Sequence, residues 1–165
     1  MIELLAVLGV LAVIMAFLLP LGQGARHQYS VVETKARFSR YTLALEQFKF
    51  EYGVYPYGGA SPIIINDPPG RFFELMTGRA INGGDIGDPV ALLQNRDKLA
   101  FLQFYPNELT PDGLIQDPFG QTDITLYFDT DGDGFLNGVE NVRAKVGWKS
   151  TGSAGDFYSW KTNND

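Results

Sequence analysis

The sequence predicts an α+β fold in which a long N-terminal helix, apolar in its first half and amphipathic in its second, packs on a small C-terminal antiparallel β-sheet. Three observations carry that expectation. A nearly unbroken apolar run opens the chain, an apolar stripe at steps of three and four follows it, and the final third alternates apolar and polar residues in short runs.

Residues 2 to 19 are rich in Leu, Ala, Val and Ile, and Glu3 is the one charge before Arg26. About 20 apolar residues at a rise of about 1.5 Å cross a hydrocarbon core of about 30 Å, so residues 1–25 are expected to form a transmembrane helix. A carboxylate at the head of such a helix is costly without a partner, which makes Glu3 a functional candidate. Pro20 removes a backbone donor and crowds the carbonyl of Ala16, and Gly22 and Gly24 follow, so a bendable stretch is expected there. The run has no basic leading region, outlasts a signal peptide's apolar core and continues into a helical pattern, unlike an ordinary secretory signal. Arg26, Lys35, Arg37 and Arg40 all follow it, which taken alone places the rest of the chain in the cytoplasm. A removed basic leader reverses that orientation.

The remaining residues, 26–165, are expected to form one globular domain. Phe38, Tyr41, Leu45, Phe48 and Tyr52 mark one helical face, read as core packing and not as an electron-transfer path. Gly53 is the expected helix stop, with Pro56 beyond it. Residues 57–115 form a Gly- and Pro-punctuated variable region, with a short helix expected at Arg71–Thr77 and a strand at Leu99–Tyr105. In the β-region, 116–165, strands are expected at Asp123–Phe128, Asn141–Trp148 and Phe157–Trp160.

Between the first two of those strands, residues 129 to 140 read Asp-Thr-Asp-Gly-Asp-Gly-Phe-Leu-Asn-Gly-Val-Glu, the pattern of a twelve-residue calcium loop. Asp129, Asp131 and Asp133 supply carboxylate oxygens in that pattern, and Gly134 makes the sharp turn. Phe135 offers its backbone carbonyl, Asn137 acts through a water, and Glu140 closes the set as a bidentate ligand. Carboxylates gathered this closely repel one another without a cation, and an all-oxygen set suits Ca²⁺ over zinc or copper. The flanks are strand-like, so the loop is expected between strands and not between the two helices of an EF-hand. The competing reading is a solvated acidic turn.

A formal net charge of -6 and a pI near 4.7 advertise no basic surface, so no nucleic-acid partner is expected. With no cysteine there is no disulfide and no thiolate metal site. His27 stands without a neighbouring Cys or His, and no P-loop, Gly-x-Ser-x-Gly or dinucleotide fingerprint occurs. Asp117-Pro118-Phe119-Gly120 reads as a turn. The chain is expected not to be an enzyme.

The opening Met-Ile-Glu-Leu-Leu, the apolar run and Pro20 together resemble the N-terminus of type IV pilins and type II secretion pseudopilins. In that family a prepilin peptidase cuts after a glycine, and the new terminus reads close to Phe-Thr-Leu-Ile-Glu-Leu-Leu. Glu3 and Pro20 fall where the family has its glutamate and helix-breaking proline. The chain departs in lacking the leader, the cleavage glycine and about two residues before Met1. Residues 44–56 resemble the end of the major pseudopilin's helix, Asp117-Pro-Phe-Gly resembles its Asp-Pro-Trp-Gly, and Phe157-Tyr-Ser-Trp its last strand. The acidic loop lies where those proteins carry calcium loops.

The resemblance implies a type IV pilin-like fold and a protein held in the bacterial inner membrane, N-methylated, and then packed into an extracellular or periplasmic helical homopolymer by pilus or secretion machinery. It makes Glu3 and Pro20 assembly residues. Glu3 would meet the α-amino group of a neighbouring copy, whose ordinary pKa is about 8. That contact is heterologous, and a heterologous contact that does not close makes an open filament. The alternative is a non-assembling, membrane-anchored extracytoplasmic domain that binds calcium or serves in adhesion.

Overall fold

A computed structural model describes residues 2–152 and 155–160, with the side chains of Ile2, Leu5 and residues 16–26 outside the description. The first element, α1 (Ile2–Tyr52), earns its packing from the spacing of its later residues. Phe38, Tyr41, Leu45 and Phe48 share one face, and each is at most 2% exposed. Gly53 ends the helix. Its φ of 78° is one that L side chains rarely adopt, and its N–H donates to the carbonyl of Lys49 at 2.8 Å.

The sheet has four strands, β1 (Ile63–Ile64), β2 (Asp123–Phe128), β3 (Val146–Thr151) and β4 (Phe157–Tyr158), paired antiparallel in that order. β2 alternates as a half-buried strand must, with Ile124, Leu126 and Phe128 fully covered. In β3, Trp148 stands opposite Leu126 and meets α1 directly. Its ring stacks on Phe38 at 5.2 Å between centroids and meets Tyr41 edge-on at 5.7 Å. The indole Nε1–H donates to Thr42 Oγ1 at 2.9 Å, so burying this large ring strands no polar atom.

Two short helices close the core. α2 (Arg71–Thr77) presents Phe72, Leu75 and Met76, all fully buried, and Phe72 lies edge-on to Trp148. α3 (Pro89–Gln94) starts at Asp88, whose carboxylate accepts from the N–H groups of Val90 and Ala91, both at 2.9 Å, with Pro89 in the first turn.

The pilin-like architecture, with a long helix whose first half anchors residues 1–25 in a membrane, needs correction, and so does the inner-membrane placement built on it. Among the described residues no helix is long and apolar enough to cross a membrane. The unbroken apolar stretch with described side chains is 6–15. At about 1.5 Å per residue it reaches about 15 Å, half of a hydrocarbon core of about 30 Å. A long anchor-bearing N-terminal helix is therefore not shown. What stands is an α+β fold with a four-stranded antiparallel sheet. Pro20, Gly22 and Gly24, expected to loosen the helix, lie outside the residues whose side chains are described.

Smaller elements also differ. Leu99–Tyr105 forms no strand, because the N–H groups of Phe101 and Leu102 both donate to the carbonyl of Met76, at 2.9 and 3.0 Å, at the end of α2. The apolar residues there pack on α1, Phe101 edge-on to Phe48. The strand expected at Asn141–Trp148 starts later, at Val146, and runs to Thr151. Residues 141–145 serve instead as the return of the acidic loop, with Leu136 N–H bonded to the Val142 carbonyl at 2.9 Å. The last strand stops at Tyr158.

Candidate functional site

The acidic loop joins β2 to β3. Its two ends are closed by the N–H of Asp129, which donates to the Lys145 carbonyl at 3.0 Å, and by a bridge between Phe135 and Arg143. Ser61 staples it from below, donating to the carbonyl of Asn137 at 2.8 Å and accepting from the N–H of Phe128 at 3.2 Å.

Within the loop the chain wraps around its first carboxylate. Asp129 Oδ1 accepts from the N–H of Gly132 at 2.7 Å, and Oδ2 from that of Gly134 at 3.0 Å. Gly134, at φ 88°, supplies the left-handed turn that this wrapping requires. Asp133 Oδ1 accepts from the N–H of Phe135 at 2.8 Å. Asn137 is spent inside the loop, its Oδ1 accepting from Thr130 N–H and Oγ1 and its Nδ2 donating to Asp131 at 3.2 Å. That amide contact, ahead of the backbone donors, holds the Asp131 carboxyl below the usual carboxylate range.

Carboxylate oxygens of Asp129, Asp131 and Asp133 lie within 4.8 Å of one another. In water, like charges at that distance repel by about 1 kcal/mol per pair, so three together favour a cation. Each oxygen keeps a lone pair beyond its backbone hydrogen bond, and an all-oxygen donor set is the chemistry of a hard divalent ion. Of the six residues expected to ligate, the structure brings together the three aspartates. Phe135 and Asn137 flank them. Glu140 is exposed in a turn and stands outside the cluster, because no helix leaves the loop to carry it inward.

Glu3, the expected assembly residue, is exposed. The large apolar residues that follow it, Leu4, Val7, Leu8, Val10, Leu11, Val13, Ile14 and Met15, are 47 to 67% exposed. No family model, no curated protein and no solved structure matches the chain. The reading of the site therefore rests on its geometry and on the chemistry of its residues.

Sequence reasoning missed a buried charge cluster. Glu108 is 1% exposed and lies between Arg37 and Arg40 of α1, its carboxylate held by Arg40 Nη2 and 3.7 Å from Arg37 Nε. Arg37 also bonds Glu33 and donates to the carbonyls of Asn107 and Gln116. Burial first, and the Glu108 carboxylate second, push the Tyr41 hydroxyl well above the ordinary tyrosine range. A signal for Arg37 was present: it precedes Tyr41 by four residues and Ala44 by seven, on the buried face. Glu108 ends a single 3₁₀ turn, Pro106–Glu108, too short for any period to point to it.

The remaining sequence candidates are structural. His27 is exposed with its ring 5.3 Å from Phe119. Asp117 is 2% exposed and accepts from the N–H groups of Phe119 and Gln121, the hydrogen-bonding of a turn.

Proposed function

We propose that the chain is a structural filament subunit of the type IV pilin or type II secretion pseudopilin kind, assembled through its N-terminal helical segment and stabilised by Ca²⁺ in the loop at 129–140. The observation that carries this reading is the exposed apolar surface between Leu4 and Met15, where the large side chains described are 47 to 67% exposed. Isolated apolar residues on a surface are ordinary, but a helix exposing them on every side must be covered. Copies of the same chain provide such a cover. At about 25 cal/mol per Å² of apolar surface removed from water, it is a strong drive to polymerise.

Glu3 gives the contact its direction. A carboxylate desolvated inside a helix-packed assembly requires a cation, and the α-amino group of a neighbouring copy is one whose ordinary pKa, about 8, keeps it charged at neutral pH. A prepilin peptidase and a pilus or secretion assembly machinery are the partners this reading requires, with no nucleic acid and no catalysis.

A second reading, a calcium-binding or adhesion domain that does not assemble, is favoured by the exposure of Asp131 and Asp133 beside the half-buried Asp129. A Glu3→Ala variant separates the two. Electron microscopy of sheared cell-surface material should show filaments containing the wild-type chain and none containing the variant. Abundant monomer with no filament in either case would sink the filament reading.

A further inference from the structure

The chain carries Asn-Gly twice, at Asn82-Gly83 and at Asn137-Gly138. In such a pair the side-chain amide carbon can be attacked by the next residue's backbone nitrogen, and glycine has no Cβ to hinder the approach. By sequence the two pairs are equivalent. The fold makes them different.

At Asn82 the attacking group is occupied, because the Gly83 N–H donates to the carbonyl of Ala80 at 2.9 Å. The amide oxygen of Asn82 accepts from one donor, the N–H of Gly84, at 2.9 Å. At Asn137 both features are reversed. Among the described residues nothing accepts from the Gly138 N–H, and Gly138 is exposed, so solvent can take that proton. Asn137 Oδ1 accepts from two donors of one residue, the Thr130 N–H at 2.6 Å and the Thr130 hydroxyl at 2.8 Å. The backbone of Asn137 is anchored as well, its N–H on the Phe128 carbonyl at 2.9 Å and its carbonyl on the Ser61 hydroxyl at 2.8 Å. Two fixed donors on a carbonyl oxygen stabilise the negative charge that develops there when its carbon is attacked.

We propose that Asn137-Gly138 is a self-modification site, at which the Gly138 nitrogen closes on the Asn137 side chain and deamidates it. The Gly138 nitrogen loses its proton to hydroxide and bonds to Asn137 Cγ, and the oxyanion at Oδ1 is held by Thr130. The Cγ–Nδ2 bond then breaks, and the nitrogen leaves as ammonia with a proton taken from water. Water opens the resulting cyclic imide at either carbonyl, giving aspartate or isoaspartate. The net change is amide plus water to acid plus ammonia. Because Asn137 Nδ2 donates to Asp131 at 3.2 Å, the product exchanges a donor to that carboxylate for another carboxylate. Like charges then crowd the loop, and its demand for a cation rises.

The test is peptide mass mapping of the metal-free full chain after incubation at mildly alkaline pH. Asn137 should deamidate about tenfold faster than Asn82 or more. Thr130→Val removes the hydroxyl donor and keeps the N–H and the shape, so it should slow Asn137 about tenfold and leave Asn82 unchanged. Were the Thr130 bonds only a restraint, loosening them would speed Asn137 instead. In urea the two rates should converge, because both pairs are then bare Asn-Gly. Faster loss at Asn82, acceleration by Thr130→Val, or a difference that persists in urea would each overturn the assignment.

Discussion

The hydroxyl of Ser150 donates to Asp117 Oδ2 at 2.7 Å in the interior, where Asp117 is 2% exposed and Ser150 not at all. Through that bond β3 is tied to the Asp-Pro-Phe-Gly turn, whose own N–H groups at Phe119 and Gln121 converge on the other oxygen at 2.8 and 2.9 Å. One buried carboxylate thus satisfies three donors.

Removing it strands the two backbone N–H groups, while the Ser150 hydroxyl keeps Gln121 Oε1 as an acceptor at 3.2 Å. Asp117→Ala should cost about 3 kcal/mol, since each buried group left unsatisfied costs about 1–3 kcal/mol. For a chain of this size that lowers Tm by roughly 6–12 °C. Ser150→Ala removes one donor and leaves the turn intact, so about 1 kcal/mol is expected. Thermal melts of the two variants should rank in that order; equal melts would mean the turn does not depend on the carboxylate.

Glu108 is the second buried carboxylate whose loss is predictable. Glu108→Ala leaves Arg37, with 8% of its side chain exposed, and Arg40 facing one another with Glu33 as the remaining anion. About 3 kcal/mol should be lost in urea denaturation. Arg37→Ala combined with Glu108→Ala should be less damaging than the two singles summed, by about 0.5–3 kcal/mol. Strict additivity would show that the two charges act independently.

The acidic loop predicts a metal-dependent melt. Saturating Ca²⁺ at about 100 times its dissociation constant should contribute about 2.7 kcal/mol, a rise in Tm of roughly 5–11 °C, reversed by EDTA. Asp131→Asn should reduce that rise sharply while leaving the metal-free melt nearly unchanged, because Asp131 is exposed. A scan indifferent to both calcium and EDTA would remove the metal from the proposal.

Alkaline pH tests the tyrosines. Tyr41 and Tyr55 are both raised, each by burial first, Tyr41 then by the Glu108 carboxylate and Tyr55 by its hydrogen bond to Glu46 at 2.6 Å. A raised folded pKa gives stability that is complete below the unfolded value of about 10 and is lost as pH rises towards the folded one. In a spectrophotometric titration these two and Tyr57, also raised by burial, should stay neutral past pH ~10.5 among the eight tyrosines, ionising only as the protein unfolds. Full reversible ionisation of all eight by that pH would contradict their burial.

Local rules made several elements legible in the residues themselves. Arg71–Thr77 and Asp123–Phe128 have the bounds their patterns indicate, because a stretch with one apolar face or strict alternation has one way to bury it. Phe38, Tyr41, Leu45 and Phe48 were readable as core for the same reason. Leu99–Tyr105 looked like a strand because it is a short apolar and aromatic run, but the N–H groups of Phe101 and Leu102 are taken by the end of α2 and it adds nothing to the sheet. The start of β3 was misplaced because residues 141–145 obey the closure of the loop and not the period of the strand.

By itself, the sequence determined the α+β class, the aromatic stripe of α1, the helix stop at Gly53 and the grouping of Asp129, Asp131 and Asp133, all fixed by residue type and spacing within a few turns of chain. Only the tertiary structure decided that Glu140 stays away from that group, that Arg37 and Arg40 close on Glu108, and that Asp117 serves Ser150. These partners are separated by up to 71 positions in sequence or by a loop of unspecified course, as with Arg37 and Glu108. No period or motif encodes such pairings; they are set by which surfaces the core brings together and by the cost of leaving a buried charge alone.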